Sequence, residues 1–396
     1  MSKMNKNPHR VSSPNLSQSD HAYHQLAAQA MRQRCLLWQG TVLHRARSHD
    51  RPISLIHEVA DELLVNSAPL FEVKEARRGL FKLGFSESGK RLVEAASADF
   101  VLIEQDMVLH EKSPVLMLFF RMRSFLPMNL RMYLDDLYAR SQVEAMVEFL
   151  NRMVGVLRRR LARKVFKERQ KNFERNAIEN FIGLSECIDR LARRHTEVIA
   201  LRFDLFYRRP GSEPAQFDDV PDVSVLEEFV DQDARFHRSM IHRFGKDLLG
   251  YAWALEFGRE AGFHKHYLVF LRPQGNEDHA GLVDLLEVKW LALTEGRGFL
   301  HNCNRNAHSY KPCAIGLVRL DDPQVLEGLR FIVVYFTLAG LYMRLAVPQS
   351  VVKFGKGGDF TKERGPKKAG RKPHIKRGKW ARHAVALAQA HYLNFM

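Results

Sequence analysis

Three side chains near the middle of the chain have the types and spacing to hold one divalent metal ion: Glu256, His264 and His266. They lie within Leu248 to Leu271, where apolar and aromatic residues flank a turn-like Gly258-Arg-Glu-Ala-Gly262. That pattern reads as two strands joined by a short glycine-containing loop. Side chains alternate along a strand, so His264 and His266 share one face, about 7 Å apart. If Phe257 pairs with Phe263, Glu256 lies across from His264, at about 5 Å between Cβ atoms. Two imidazoles and a carboxylate then converge and leave positions for water and substrate. A slip of one residue would send Glu256 to the other face. The His-x-His spacing alone says little, because 18 histidines in 396 residues produce roughly 0.8 such pairs by chance. The competing reading is two half-exposed strand histidines beside a surface glutamate.

A metal that polarises a phosphate still needs an attacking group. The apolar stretch Phe331 to Tyr342 offers Tyr335 and Tyr342, seven residues apart. On a helix that is two turns, so both would share a face. A tyrosine oxygen can form a covalent phosphoester, splitting strand transfer into two reversible steps, and the metal would neutralise charge on the scissile phosphate. Aromatics at this spacing are most often plain core. Gly340 in mid-helix costs about 1 kcal/mol relative to Ala and points to close approach of another element.

The elements that must position these groups follow from pattern. Residues 1–20 are polar and are expected to be disordered. From 21 to 195 the pattern is mainly helical, with three- and four-residue apolar spacing in Leu55 to Leu64, Leu134 to Leu161 and Ala177 to Leu191. Strand-like Ile199 to Tyr207 opens a β-α-β-β-α-β order: a loop over Arg208 to Val223, a helix from Ser224 to Phe244, the hairpin, a helix over Leu282 to Leu293, and a strand over Ala314 to Arg319. This predicts an α+β fold. Asp322 and Pro323 suit the cap and first residue of a helix reaching about Leu345. Residues 351–396 read as a basic tail, with twelve Lys or Arg from Lys353 to Arg382 against Asp359 and Glu363, closed by a short helix over Ala381 to Leu393.

A formal charge of +16 points to a polyanionic partner, nucleic acid first. The basic run around Arg158, Arg159 and Arg160 suits contact with a phosphate backbone. Lys367, Lys368, Arg371 and Lys372 in the tail resemble a minor-groove hook. No uninterrupted run of 18 apolar residues occurs, so no membrane partner is expected. The polar N-terminus lacks a signal core. The four cysteines form no CxxC pair, which disfavours a disulfide framework or structural zinc, and a cytoplasmic setting is expected.

Taken in order, Leu201-Arg-Phe-Asp-Leu205, the Trp253-x-x-Glu256 strand, Gly262-Phe-His-Lys-His266, the Asn302-Cys-Asn304 loop, a tyrosine helix and Lys353-Phe-Gly355 resemble the inovirus gene-2-type replication proteins. These are the YagK/YfjJ C-terminal-domain family of filamentous phages and prophages, itself similar to the HUH rolling-circle replication endonucleases. The resemblance covers roughly residues 195–360. It implies an antiparallel HUH-type sheet flanked by helices (residues 196–350) and a Mg²⁺ or Mn²⁺ ion on His264, His266 and Glu256. It also implies a tyrosine, best matched by Tyr335, that nicks single-stranded DNA and stays on the 5′ phosphate. Arg202 and Lys353 become DNA-contacting candidates. The implied partners are single-stranded and origin DNA, with a host helicase or polymerase, in a bacterial cell. Relatives typically carry a lysine three residues after the tyrosine, where this chain has Leu338, and an apolar residue at the position of Lys265. The other functional expectation is a DNA-binding protein or regulator that keeps the fold without nicking. A third is an RNA-binding module that stacks bases on sheet aromatics.

Overall fold

The computed structural model describes residues 50–361, except 78, 123–136, 208–222, 259–260 and 276–277. The expected disorder of residues 1–20, the loop of residues 208–222, the closing helix, and Lys367, Lys368, Arg371 and Lys372 lie outside the described residues.

The first part of the chain is α1 (Asp50–Val65), the hairpin β1 (Phe71–Arg77) and β2 (Leu80–Phe85), α2 (Glu87–Ala96), α3 (Phe100–Asp106), β3 (His110–Lys112), α4 (Pro114–Met122), α5 (Arg140–Ala162) and α6 (Lys164–Arg194). Among its described residues this mainly helical region also holds a hairpin and the short strand β3. β1 and β2 pair antiparallel, and most of their residues are exposed or half-buried. The basic run is also broken in two, because Arg163 is extended between α5 and α6.

Next come β4 (Glu197–Phe206), α7 (Val223–Phe244), β5 (Leu248–Gly258), β6 (Gly262–Leu271), α8 (His279–Leu293), β7 (Phe299–Asn302), β8 (Gly316–Arg319), α9 (Pro323–Thr337), β9 (Met343–Leu345) and β10 (Phe354–Gly357). The expected order of strands and helices is present, with β7 as an extra strand. Among the described residues, the main sheet has six strands in the order β10-β5-β6-β4-β7, and β8 also pairs β4. Every pairing in it is antiparallel. The fold is thus α+β, as expected. The sheet runs past residue 350, since β10 adds an edge to β5.

Alternation divides the sheet between two cores. Val198, Ala200, Ala252, Ala254, Leu268 and Phe270 pack with α1, α6 and α9. Ile199, Leu201, Phe203, Leu255, Tyr267 and Val269 pack with Phe229 and Phe236 of α7 and Trp290 of α8. Both faces are covered, which is why β4 is apolar along nearly its whole length and buried from Val198 onward.

α9 begins where expected: Asp322 accepts from the Gln324 amide at 2.8 Å, with Pro323 behind it. It ends at Thr337, eight residues early. Leu338–Leu341 tighten into a 3-10 turn, and Met343–Leu345 pair with His110–Lys112. Gly340 meets Ala177 only at ordinary contact distance and sits in this turn, so the close approach inferred from it is absent. By length and composition Pro323–Leu341 is apolar enough to cross a membrane. In this fold, however, Leu329, Val333 and Phe336 belong to the core it shares with α1 and α6.

Candidate metal centre

The hairpin register is the one alternation requires: Glu256 faces His264, and Phe257 faces Phe263. Gly262 turns the chain with φ of +65°, a left-handed conformation that costs glycine little. Its carbonyl then accepts from His264 Nδ1 at 3.0 Å. A carbonyl can only accept, so Nδ1 carries the proton and Nε2 keeps the lone pair. Phe206 stacks on the same ring, 5.1 Å between centroids, and holds its plane.

His266 is held in the same way from the next strand. Asp204, opposite it in β4, accepts from His266 Nδ1 at 2.7 Å. Arg202 Nη2 approaches that nitrogen at 3.2 Å, the longer contact, while Arg202 Nη1 bonds Asp204 itself. The carboxylate therefore sets the tautomer, and Nε2 of His266 is again the lone-pair nitrogen.

Both Nε2 atoms converge on Glu256, whose Oε2 lies 3.3 Å from His266 and 3.7 Å from His264. The ligand atoms of the three residues fall within 4.8 Å of one another. Burial lowers the His264 pKa, which keeps its imidazole neutral, the form a metal requires. The group fits a divalent cation: two oriented imidazole nitrogens, one carboxylate and a cavity on the open side. That cavity has a volume of about 430 Å³ and lies between the hairpin, α6 and the turn after α9.

The two tyrosines separate here. Tyr335 Oη lies 2.7 Å from His266 Nε2, in hydrogen-bond contact with a ligand nitrogen. Tyr342, which alternation on one long helix would align with it, is beyond the end of α9. It is 2 % exposed, and its ring packs edge-on against His57. Leu338 is fully buried, and the Arg202 guanidinium lies 5.6 Å from the Tyr335 ring. Compared with family models, with curated proteins and with solved structures, the chain matches none of them.

Several basic residues read as DNA contacts are otherwise engaged. Arg202 is 6 % exposed and binds Asp204 beneath the metal group, because an even-numbered position on β4 faces the α6 side and not solvent. Arg158 donates to the Ser67 and Ala68 carbonyls at 3.1 and 2.7 Å, closing the loop after α1. Arg159 and Arg160 are exposed. Lys353 lines the cavity and donates to the Leu345 carbonyl at 2.8 Å. Lys265 points to the opposite face, as alternation requires, and pairs with Asp233.

Asp204 and His301 were not singled out from sequence. They face each other across β4 and β7, so His266, Asp204 and His301 form a row over three strands. Burial, with Arg202 and His266 nearby, pulls the His301 pKa down to about 4, leaving it neutral. The available signal for Asp204 was a carboxylate inside a largely apolar strand run, which must find a partner once buried.

Proposed function

We propose that this chain is a metal-dependent tyrosine endonuclease and strand transferase acting on single-stranded DNA, an HUH-type initiator of rolling-circle replication for a phage or mobile element. The observation that carries the reading is the 2.7 Å contact between Tyr335 Oη and His266 Nε2. A potential nucleophile from one helix meets a metal-ligand nitrogen from a strand 69 residues away. The +16 charge of the chain suits a polyanionic substrate.

Glu256, His264 and His266 would hold Mg²⁺ or Mn²⁺, which supplies charge neutralisation at the scissile phosphate when bound. The chain's own groups do the rest. Asp204 and the Gly262 carbonyl orient the two imidazoles, and α9 places the Tyr335 phenol next to His266, where the contact to Nε2 would give way to the ion. Tyr335 Oη bonds to phosphorus as the P–O3′ bond breaks. The phenol proton balances the charge on the departing 3′ oxygen, and the 5′ phosphate stays on Tyr335 until a 3′ hydroxyl reverses the step.

The test is a covalent protein–DNA adduct on a denaturing gel after incubation with Mn²⁺ and a pool of single-stranded oligonucleotides. The adduct is expected from the wild type and from Tyr342→Phe, and lost in Tyr335→Phe. Tight DNA binding without an adduct from any strand would sink the enzyme reading. It would leave the second one, a DNA-binding regulator on the same scaffold, for which the buried Leu338 beside the tyrosine speaks.

A further inference from the structure

The cavity extends well past the metal group. At about 430 Å³ it falls within the range of pockets that enclose small organic ligands, roughly 300–1,000 Å³, and exceeds what a phosphate alone occupies. The wall across from the hairpin belongs to α6, in the region that precedes the family resemblance. Asn176, Glu179 and Asn180 line it, at spacings that put all three on one helix face. Neither asparagine amide has a hydrogen-bond partner among the described residues, and Asn176 and Glu179 are exposed to the cavity side of the helix. Apolar surface from Phe206, Phe257 and Phe354 lines the same space.

This wall is the wrong chemistry for a phosphate. It offers amide pairs and a carboxylate beside aromatic surface, and the cationic lining residues Lys353 and Arg344 come from other elements. It is the right chemistry for the edge of an unstacked base. An asparagine amide matches the donor and acceptor of adenine, and a glutamate accepts from the amino group of cytosine. Unpaired bases are read in this way, through their exposed edges and aromatic surroundings.

We propose that the cavity between the hairpin and α6 is a nucleobase subsite. Asn176, Glu179 and Asn180 select a base by the 6-amino group of adenine or the 4-amino group of cytosine, next to the scissile phosphate. The inference rests on the reading of the chain as a single-strand DNA enzyme. It gives α6 a role in substrate choice and not only in general attraction for the backbone.

The test uses the full chain carrying Tyr335→Phe, so that no strand is cut, and fluorescence anisotropy with short dA, dC and dT homo-oligonucleotides. Wild-type α6 is expected to bind dA or dC at least about 10-fold more tightly than dT. With Asn176→Ala, Glu179→Ala and Asn180→Ala combined, the three oligonucleotides should converge on a common affinity. These helix-surface changes to alanine favour helix formation, and a thermal melt confirms folding. The conservative Asn176→Gln should restore part of the preference. Equal binding of the three oligonucleotides by the wild-type wall, or tightest binding of dT, overturns the subsite and leaves the nicking reading intact. Absence of binding to all three overturns both.

Discussion

On one face of β6, His264 and His266 turn toward a cavity. On the other, Lys265 turns toward α7, one residue away in sequence. Both faces bury charge, but they dispose of it differently. Lys265 pairs with Asp233 and lies 3.5 Å from the centre of the Trp253 ring, and Tyr267 donates to the same carboxylate at 2.6 Å. Each group there answers another. On the metal face, both histidines turn Nε2 toward one carboxylate, His266 Nε2 also meets Tyr335, and Asp204 Oδ2 is buried with no hydrogen-bond partner among the described residues. Buried charge by itself therefore does not mark a site. Buried groups whose remaining bonding capacity is aimed at open space do.

The contrast can be broken first on the closed face. Lys265→Met should destabilise the fold by about 3–5 kcal/mol in urea unfolding, because it strands the buried Asp233 carboxylate. Lys265→Met with Asp233→Leu should recover part of that loss. Burial already pulls the Lys265 ammonium below its usual pKa despite the partner beside it, so the pair is not a large net gain. A single variant as stable as the wild type would remove the distinction between the faces.

A smaller effect is expected on the open face. Asp204→Asn should weaken Mn²⁺ binding by about 10- to 100-fold in calorimetric titration, since the orienting partner of a ligand histidine is lost. Unchanged Mn²⁺ affinity would mean that Asp204 does not set the His266 tautomer.

The smallest effect is a pH dependence on the closed face. His237 faces Asp233, Lys265, Tyr267 and Tyr251, and burial lowers its pKa, with Lys265 adding to this and Asp233 opposing it. The unfolded chain then takes up the proton first, near pH 6.5. The stabilisation is complete above that pH and is lost as pH falls toward the lower folded value. The urea midpoint should decline on acidification, and His237→Gln should flatten that decline. An equal slope in both proteins would assign the dependence to another group.

Much of the metal group was legible because it depends on local rules. A short loop and strict alternation bring Glu256 opposite His264 whatever lies around them. The supports were less legible. Asp204 meets His266 through a pairing of strands 62 residues apart, and no local pattern states which strands become neighbours. The largely apolar pattern of α9 continues to Leu345 with no proline and only Gly340 to weaken it. The helix nonetheless stops at Thr337, because pairing Met343–Leu345 with β3 competes with further helix. Arg158 and Arg202 looked alike as cations, yet one closes a loop and the other is buried, since charge in a sequence does not say what it will face.

By itself, then, the sequence determined the α+β order, the hairpin, and the shared face of Glu256, His264 and His266, all consequences of side-chain periodicity within one segment. The tertiary structure decided which tyrosine reaches that face, which carboxylate orients the histidine, and where space remains beside them. Those outcomes depend on packing between elements distant in sequence. Tyr335, inside α9, meets the His266 nitrogen, while Tyr342, past the end of that helix, is buried against His57.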